Sequence, residues 1–196
     1  MTVFHLVRHA SHDLLGRVLT GRMRGVPLSA SGHAEARRLA RHFARRSIAA
    51  VLSSPVQRAE ETAVPIAAAL WLRVVTHDGL DEIDFGDWTG WTFEELQGSP
   101  GWDAWNRFRG TAPTPDGETM TQALSRALRV LTDLRRAYGD TELVLVSHQD
   151  VLKALLAHCL GMPLDLMHRI DLAPASCSVL HMGDGELRVE SMNLLV

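Results

Sequence analysis

Four short apolar runs in this chain each lead into residues that can do chemistry. Val3–Val7 is followed by Arg8 and His9, and Ile48–Leu52 by Ser53, Ser54 and then Arg58. Leu72–Val75 leads to a loop holding Asp81, Glu82 and Asp84, and Glu142–Val146 leads to Ser147 and His148. Strands of a parallel sheet bring their carboxyl ends together, and such sheets bind ligands at that edge. Two arginines, two histidines and an acidic loop are therefore expected to meet.

Their types suit one task. Guanidinium groups are planar, permanently charged forks that match phosphate oxygens. Helices that start just after strands point their N-termini at the same place and favour an anion. A histidine in that anion hole can attack phosphorus through a neutral ring nitrogen, which divides a transfer into two easier steps. A carboxylic acid from the acidic loop can protonate the leaving alkoxide and, as a carboxylate, later deprotonate the attacking water. Residue type alone leaves Glu82 and Asp84 as alternatives for that role. No metal is required where the arginines and a protonated second histidine neutralise the phosphoryl charge.

The elements that must position these groups follow from the pattern. The apolar runs, short and partly β-branched, read as buried strands, Leu72–Val75 the weakest of them. Helical spacing places Ala34, Leu39, Ala40 and Phe43 on one face of Ser31–Arg45, with Arg37, Arg38, Arg41, Arg45 and Arg46 as its exposed charges. Ser54-Pro55-Val56-Gln57 predicts a helix with Ser54 as N-cap and Pro55 first, running to about Leu70 with a break or kink near Pro65. Thr92…Glu95 and Thr119…Gln122 are capping-box patterns, the second opening a long amphipathic helix to about Tyr138. Asp150–Leu160 is a further helix ended by Gly161, and Ser176–Met182 with Leu187–Asn193 reads as a terminal hairpin. Alternating strands and helices predict a three-layer α/β/α fold with a mainly parallel central sheet. The weakly periodic stretch Asp81–Gly117, which holds Trp88, Trp91, Trp102 and Trp105, is expected to be an insertion lying over one end of the sheet.

Composition bounds the rest. A chain of 196 residues fits one domain, residues 1–196, with enough core to dispense with disulfide or metal staples. A net charge of -3 argues against a protein built around nucleic-acid phosphates. Two isolated cysteines, Cys159 and Cys177, fit a reducing compartment. The N-terminus lacks a basic region followed by an apolar run, and Ala63–Leu72 is too short to span a bilayer, so a cytoplasmic location is expected, with no membrane partner. No Gly-x-Ser-x-Gly, Gly-Lys-Ser/Thr, His-Glu-x-x-His or Cys-x-x-Cys occurs, so hydrolase-elbow, P-loop and local zinc chemistry are not indicated. No cofactor and no metal are expected. The oddity is ten histidines beside a single lysine, Lys153.

Six segments, in order, carry a resemblance. Leu6-Val7-Arg8-His9-Ala10 resembles the Leu-Val-Arg-His-Gly signature of the histidine phosphatase superfamily, the phosphoglycerate-mutase-like proteins. Leu28-Ser29-Ala30-Ser31-Gly32 is similar to that family's Leu-Ser-x-x-Gly helix start, and Ser53-Ser54-Pro55-Val56-Gln57-Arg58-Ala59 to its Ser-Ser-x-x-x-Arg-Ala segment. Leu80-Asp81-Glu82 through Gly86-Asp87-Trp88-Thr89-Gly90 resembles its Leu-x-Glu-x-x-x-Gly-x-Trp-x-Gly loop. Gly117-Glu118-Thr119 looks like the start of its penultimate long helix, and Val146-Ser147-His148 with Leu155-Leu156 like its second histidine segment. The resemblance implies a metal-independent phosphatase acting on a small phosphomonoester metabolite through a phosphohistidine. His9 would be the nucleophile and Glu82, chosen over Asp84 by the loop pattern, the proton donor and general base. Arg8, Arg58 and His148 would complete the phosphate pocket, with Thr20, Gly21 and Gln149 also touching substrate. The rival readings are a cofactor-dependent phosphoglycerate mutase and a catalytically impaired phosphate-binding protein. Mutases of the family are usually longer, which favours hydrolysis; a homodimer is left open.

The departures bear on the substrate. Ala10 stands where the family has Gly, which would strain a backbone needing positive φ, with its N–H expected to stay free. Gln149 stands for another common Gly and would narrow the pocket or donate to the substrate, and Leu14-Leu15 replaces a Trp-Asn pair. The basic loop Arg17, Arg22 and Arg24 is a candidate for binding a second anionic group. His12, three residues after the nucleophile, is intermediate; the remaining histidines, His168 among them, are expected to be surface or satisfied core residues.

Overall fold

The computed structural model describes residues 1–196. Six strands form one sheet: β1 (Thr2–Arg8), β2 (Ile48–Ser53), β3 (Val74–Thr76), β4 (Glu142–Ser147), β5 (Cys177–Met182) and β6 (Leu187–Leu194). Their order is β3-β2-β4-β1-β5-β6. The first four pair in parallel, while β5 and β6 form an antiparallel hairpin added beside β1. The register pairs Arg8 with Ser147 and Ser53 with Val146, so the strand ends carrying the chemistry lie level with one another.

Six α-helices follow the strands: α1 (Ala30–Phe43), α2 (Gln57–Ala69), α3 (Phe93–Leu96), α4 (Pro100–Arg107), α5 (Met120–Tyr138) and α6 (Gln149–Cys159). The central strands are buried on both faces, which explains their continuous apolar runs. Leu6, Leu52, Leu143 and Leu145 point into one apolar layer with α5 and α6, while Val7, Val51, Val144 and Val146 point into the other with α1 and α2. Alternate residues of a strand face opposite sides, so this partition gives the three layers. On α5, Met120, Ala123, Ala127, Val130, Leu131 and Leu134 form the buried stripe behind a complete Thr119–Gln122 capping box. Truncating fully buried Leu131 to Ala would cost about 3 kcal/mol.

Several local expectations need correction. Ser54 is not the N-cap of α2: the helix begins at Gln57 with Val56 as the cap residue, and the Ser54 hydroxyl, while accepting from the Val56 N–H at 3.1 Å, also joins His148 to Asp81. Pro65 does not break α2, whose buried face (Thr62, Ala63, Ile66, Ala67) holds the helix through the missing N–H. The third strand is Val74–Thr76 rather than Leu72–Val75, because Leu72 still donates to the Ala67 carbonyl and Trp71 turns the chain at φ 59°. α1 stops at Phe43, two residues short of Arg45.

The segment after β3 holds two 3-10 turns, α3 and α4. An edge-to-face aromatic group, Trp88 against Trp102 at 5.4 Å and Phe85 against Trp105 at 6.2 Å, packs it down. Gly86 makes that packing feasible: its φ is +54°, and a Cβ there would lie 1.7 Å from the Pro115 carbonyl oxygen.

Candidate active site

At the carboxyl edge of the sheet a cavity of about 440 Å³ is lined by Arg8, His9, His12, Thr20, Gly21, Arg58, Glu82 and Gln149, with Trp102, Asn106, Arg109, Asp150, Lys153 and His168 toward its mouth. His9 is the first residue beyond β1. Its N–H donates to the Ser147 carbonyl at 2.9 Å and its carbonyl accepts from the Ala175 N–H at 3.2 Å, so two neighbouring segments fix its backbone.

The His9 ring is equally constrained. Arg58 Nε lies 3.2 Å from His9 Nε2, and a guanidinium can only donate, so Nε2 carries the lone pair. The proton sits on Nδ1, which donates to the Ala10 carbonyl at 2.8 Å. Burial, and then the charges of Arg58 and Arg8, hold the His9 imidazolium well below its ordinary range. The ring is neutral, with its Nε2 lone pair directed at a cationic group.

Arg58 joins both histidines. Its Nη2 donates to the Gly21 carbonyl at 2.7 Å and to His148 Nδ1 at 3.1 Å. His148 Nε2 therefore carries the proton and donates to the Ser54 hydroxyl at 2.8 Å, which donates on to Asp81 at 2.7 Å. His148 is neutral, not protonated as the sequence reading supposed, because it is fully buried and faces the Arg58 charge. Arg58 itself is 1% exposed, and burial pulls its pKa to about 10, leaving it charged near neutrality. Its Nη1 is buried with no partner in the chain, as is Arg8 Nε, while Arg8 Nη1 is anchored on the Leu172 carbonyl. Buried N–H groups without partners are rare, and these two belong to cations that line the cavity.

Glu82 lines the same cavity and Asp84 does not; Asp84 instead accepts from the Gly86 N–H and lies 3.7 Å from Arg22. Burial, reinforced by the nearby Asp150 charge and opposed by Arg58, raises the Glu82 pKa to about 7. Its backbone carbonyl is clamped by Arg22 Nε at 2.8 Å and Arg126 Nη2 at 3.1 Å, and both arginines are tied to Glu118. Arg22 thus holds the acidic loop. None of Arg17, Arg22 and Arg24 lines the cavity, so the basic loop is not placed to bind a second anion there.

Ala10 departs from expectation twice. It is not among the residues with positive φ, so it carries no left-handed strain, and its N–H is not free but donates to Thr62 Oγ1 at 2.9 Å. Its Cβ packs in the apolar layer with Val7 and Ala59. Gly21 sits at φ +43°, with Phe85 and Thr89 against the space a Cβ would need. His12, 5% exposed, stands with its ring 5.4 Å from that of His9, and burial, followed by the charges of Arg58 and Arg8, lowers its pKa to about 4. Asn106, Arg109, Asp150 and Lys153, none of them expected from the sequence, also line the cavity, as does His168, expected to be a surface or core residue. A legible signal existed for one of these: Gln149 and Lys153 are four apart, one turn along the same helix face.

Residues 4–195 match the histidine phosphatase superfamily (branch 1). The chain is 37% identical over 194 residues to the bifunctional protein Rv2228c of Mycobacterium tuberculosis, covering 96% of this chain but only 52% of that protein. It thus spans about half the length of the curated relatives it matches at that identity. It is 29% identical to phosphoserine phosphatase 1 of Hydrogenobacter thermophilus, covering 96% of this chain and 90% of the other. The solved structure of Bacillus stearothermophilus YhfR superposes with a TM-score of 0.91 at 26% identity, covering 97% and 96% of the two chains. With the match running from the third residue of β1 nearly to the C-terminus, the chain belongs to the histidine phosphatase superfamily.

Proposed function

We propose that this protein hydrolyses small phosphomonoesters through a phosphohistidine on His9. The observation that carries the reading is the state of His9: a neutral ring, its Nε2 lone pair bare of a proton, beside an Arg58 Nη1 that has no partner. The phosphoryl oxygens bind Arg8 and Arg58, with the Arg58 Nε–H passing from His9 Nε2 to a phosphoryl oxygen; the freed Nε2 lone pair attacks phosphorus as the bond to the ester oxygen breaks. Glu82, with a pKa of about 7, is divided between its acid and carboxylate forms near neutrality. As the acid it protonates the leaving oxygen; as the carboxylate it takes the proton of the water that releases phosphate. His148, expected in the phosphate pocket, does not itself line the cavity and acts through its bond to Arg58. Thr20, Gly21 and Gln149 line its wall.

A relative named phosphoserine phosphatase favours hydrolysis of a small metabolite over phosphoglycerate isomerisation. The test is a panel of phosphomonoesters assayed for phosphate release in EDTA, alongside conversion of 3- to 2-phosphoglycerate. Phosphate release undiminished by EDTA, with no isomerisation, is expected. Isomerisation without release would make the protein a mutase, and neither activity would make it a binding protein. No helix is long and apolar enough to cross a membrane.

A further inference from the structure

The chain's single lysine lines the active-site cavity and is 6% exposed. Lys153 stands one turn beyond Gln149 on α6, and both residues line the cavity. An ammonium has three N–H donors and no acceptor. Its one partner is Asp171, whose oxygen lies 3.8 Å away, beyond hydrogen-bond reach, on a side chain that is 94% exposed. A cation so loosely paired keeps hydrogen-bonding capacity for a group that enters the cavity.

The other charges at the mouth satisfy one another. Arg109 donates to Asp150 at 2.8 Å and to Asn106 at 2.9 Å, with its guanidinium 4.9 Å over the Trp105 ring. That pair is neutral in sum and well buried, with side chains 12% and 19% exposed. Lys153 is left with only the loose Asp171 pairing, on the cavity that also holds His9 and Arg58. Burial lowers its pKa below the ordinary lysine value, against the support of Asp150 and Asp171 and with the smaller opposition of Arg8 and Arg109.

We propose that Lys153 is a specificity residue that pairs with a carboxylate on the substrate, so that the esters this site prefers carry a carboxylate beside the phosphoryl group. The inference rests on the phosphomonoester reading above. One compact cation matches a monoanion. A second phosphoryl dianion would leave one negative charge unmatched by a single ammonium, in a cavity that also holds the carboxyl groups of Asp150 and Glu82 and with Arg109 already engaged.

The experiment compares pairs of esters that differ only in the carboxylate: 3-phosphoglycerate against glycerol 3-phosphate, and O-phosphoserine against O-phosphoethanolamine. The readout is the ratio of kcat/KM within each pair. In the wild type at least one ratio is expected to exceed about tenfold, the size of a charge-assisted contact. Lys153→Met, close in volume, should collapse that ratio to near one, and Lys153→Arg should restore part of it. A wild-type ratio near one in both pairs overturns the proposal. So does a ratio that survives Lys153→Met, including the case where every ester slows equally because Lys153 serves the phosphoryl group itself. If the wild type hydrolyses no ester at all, it is the phosphatase reading that fails.

Discussion

The inner end of the cavity and its mouth are built on different principles. At the inner end, His9, Arg58 and His148 come from positions just beyond β1, at the start of α2 and beyond β4, and are tied by bonds of 3.1–3.2 Å. Each is at most 3% exposed. At the mouth, Asn106, Arg109, Asp150 and Lys153 come from α4, the loop after it and α6, and their side chains pair with one another or, for Lys153, with almost nothing. The inner end is a preorganised electrostatic hole, which stabilises a charge common to every phosphomonoester. The mouth is a set of separately replaceable side chains, which is where discrimination between substrates can vary without touching the chemistry.

If that contrast holds, substitutions should differ in kind as well as size. His9→Ala removes the only proposed nucleophile, and kcat should fall by about 10 000-fold or more on p-nitrophenyl phosphate and metabolite esters alike. Near wild-type turnover by His9→Ala would end the covalent account. Glu82→Gln comes next. kcat/KM for alkyl phosphates should fall about 100-fold, while that for p-nitrophenyl phosphate, whose leaving group hardly needs a proton, should fall less than about tenfold. Equal losses on both would remove the leaving-group role.

Glu82 also makes a stability prediction. Its folded pKa, about 7, lies above its ordinary 4.5, so the folded state binds more protons between those values. Stability is therefore greatest, as far as this group is concerned, below about pH 4.5 and falls as pH rises through about 7. Glu82→Gln should stabilise the protein at pH 8, by up to about 3 kcal/mol, with a gain that shrinks toward pH 5. Urea melts at the two pH values check it. A smaller effect links the two ends of the cavity. The Asp150 charge helps to raise the Glu82 pKa, so Asp150→Asn should move the alkaline fall of kcat/KM for alkyl esters to lower pH. An unmoved pH profile would show the mouth and the acid to be uncoupled. The smallest change is expected from Ala10→Gly. It should cost about 1 kcal/mol of stability with kcat/KM within about twofold, since Ala10 is unstrained and its methyl packs in the apolar layer.

The same contrast explains what could be read from the sequence. Arg8, His9 and His148 follow buried strands directly, so the sheet topology that juxtaposes them is implied by the apolar runs. Arg58 was legible as the residue one turn into a helix after a strand. Even so, Ser54 was misread as a cap, because a serine before a proline gives no sign that its hydroxyl will join His148 to Asp81. At the mouth no local pattern exists. Arg109 and Asp150 are 41 residues apart and meet only because α4 folds back over the sheet edge. The basic loop shows the converse failure: Arg22 looked like a substrate ligand by composition, yet Glu118, 96 residues away, and the Glu82 carbonyl claim it.

The most direct test of the central claim combines the two inner-end predictions. In Glu82→Gln with p-nitrophenyl phosphate, phosphorylation needs little acid help while water attack loses its base, so the covalent enzyme should accumulate. Rapid-quench mass spectrometry under alkaline conditions should find a phosphoryl adduct on the peptide holding His9, with a nitrophenolate burst close to one per enzyme. An adduct on another residue, or steady turnover with neither burst nor adduct, would contradict a phosphohistidine at His9.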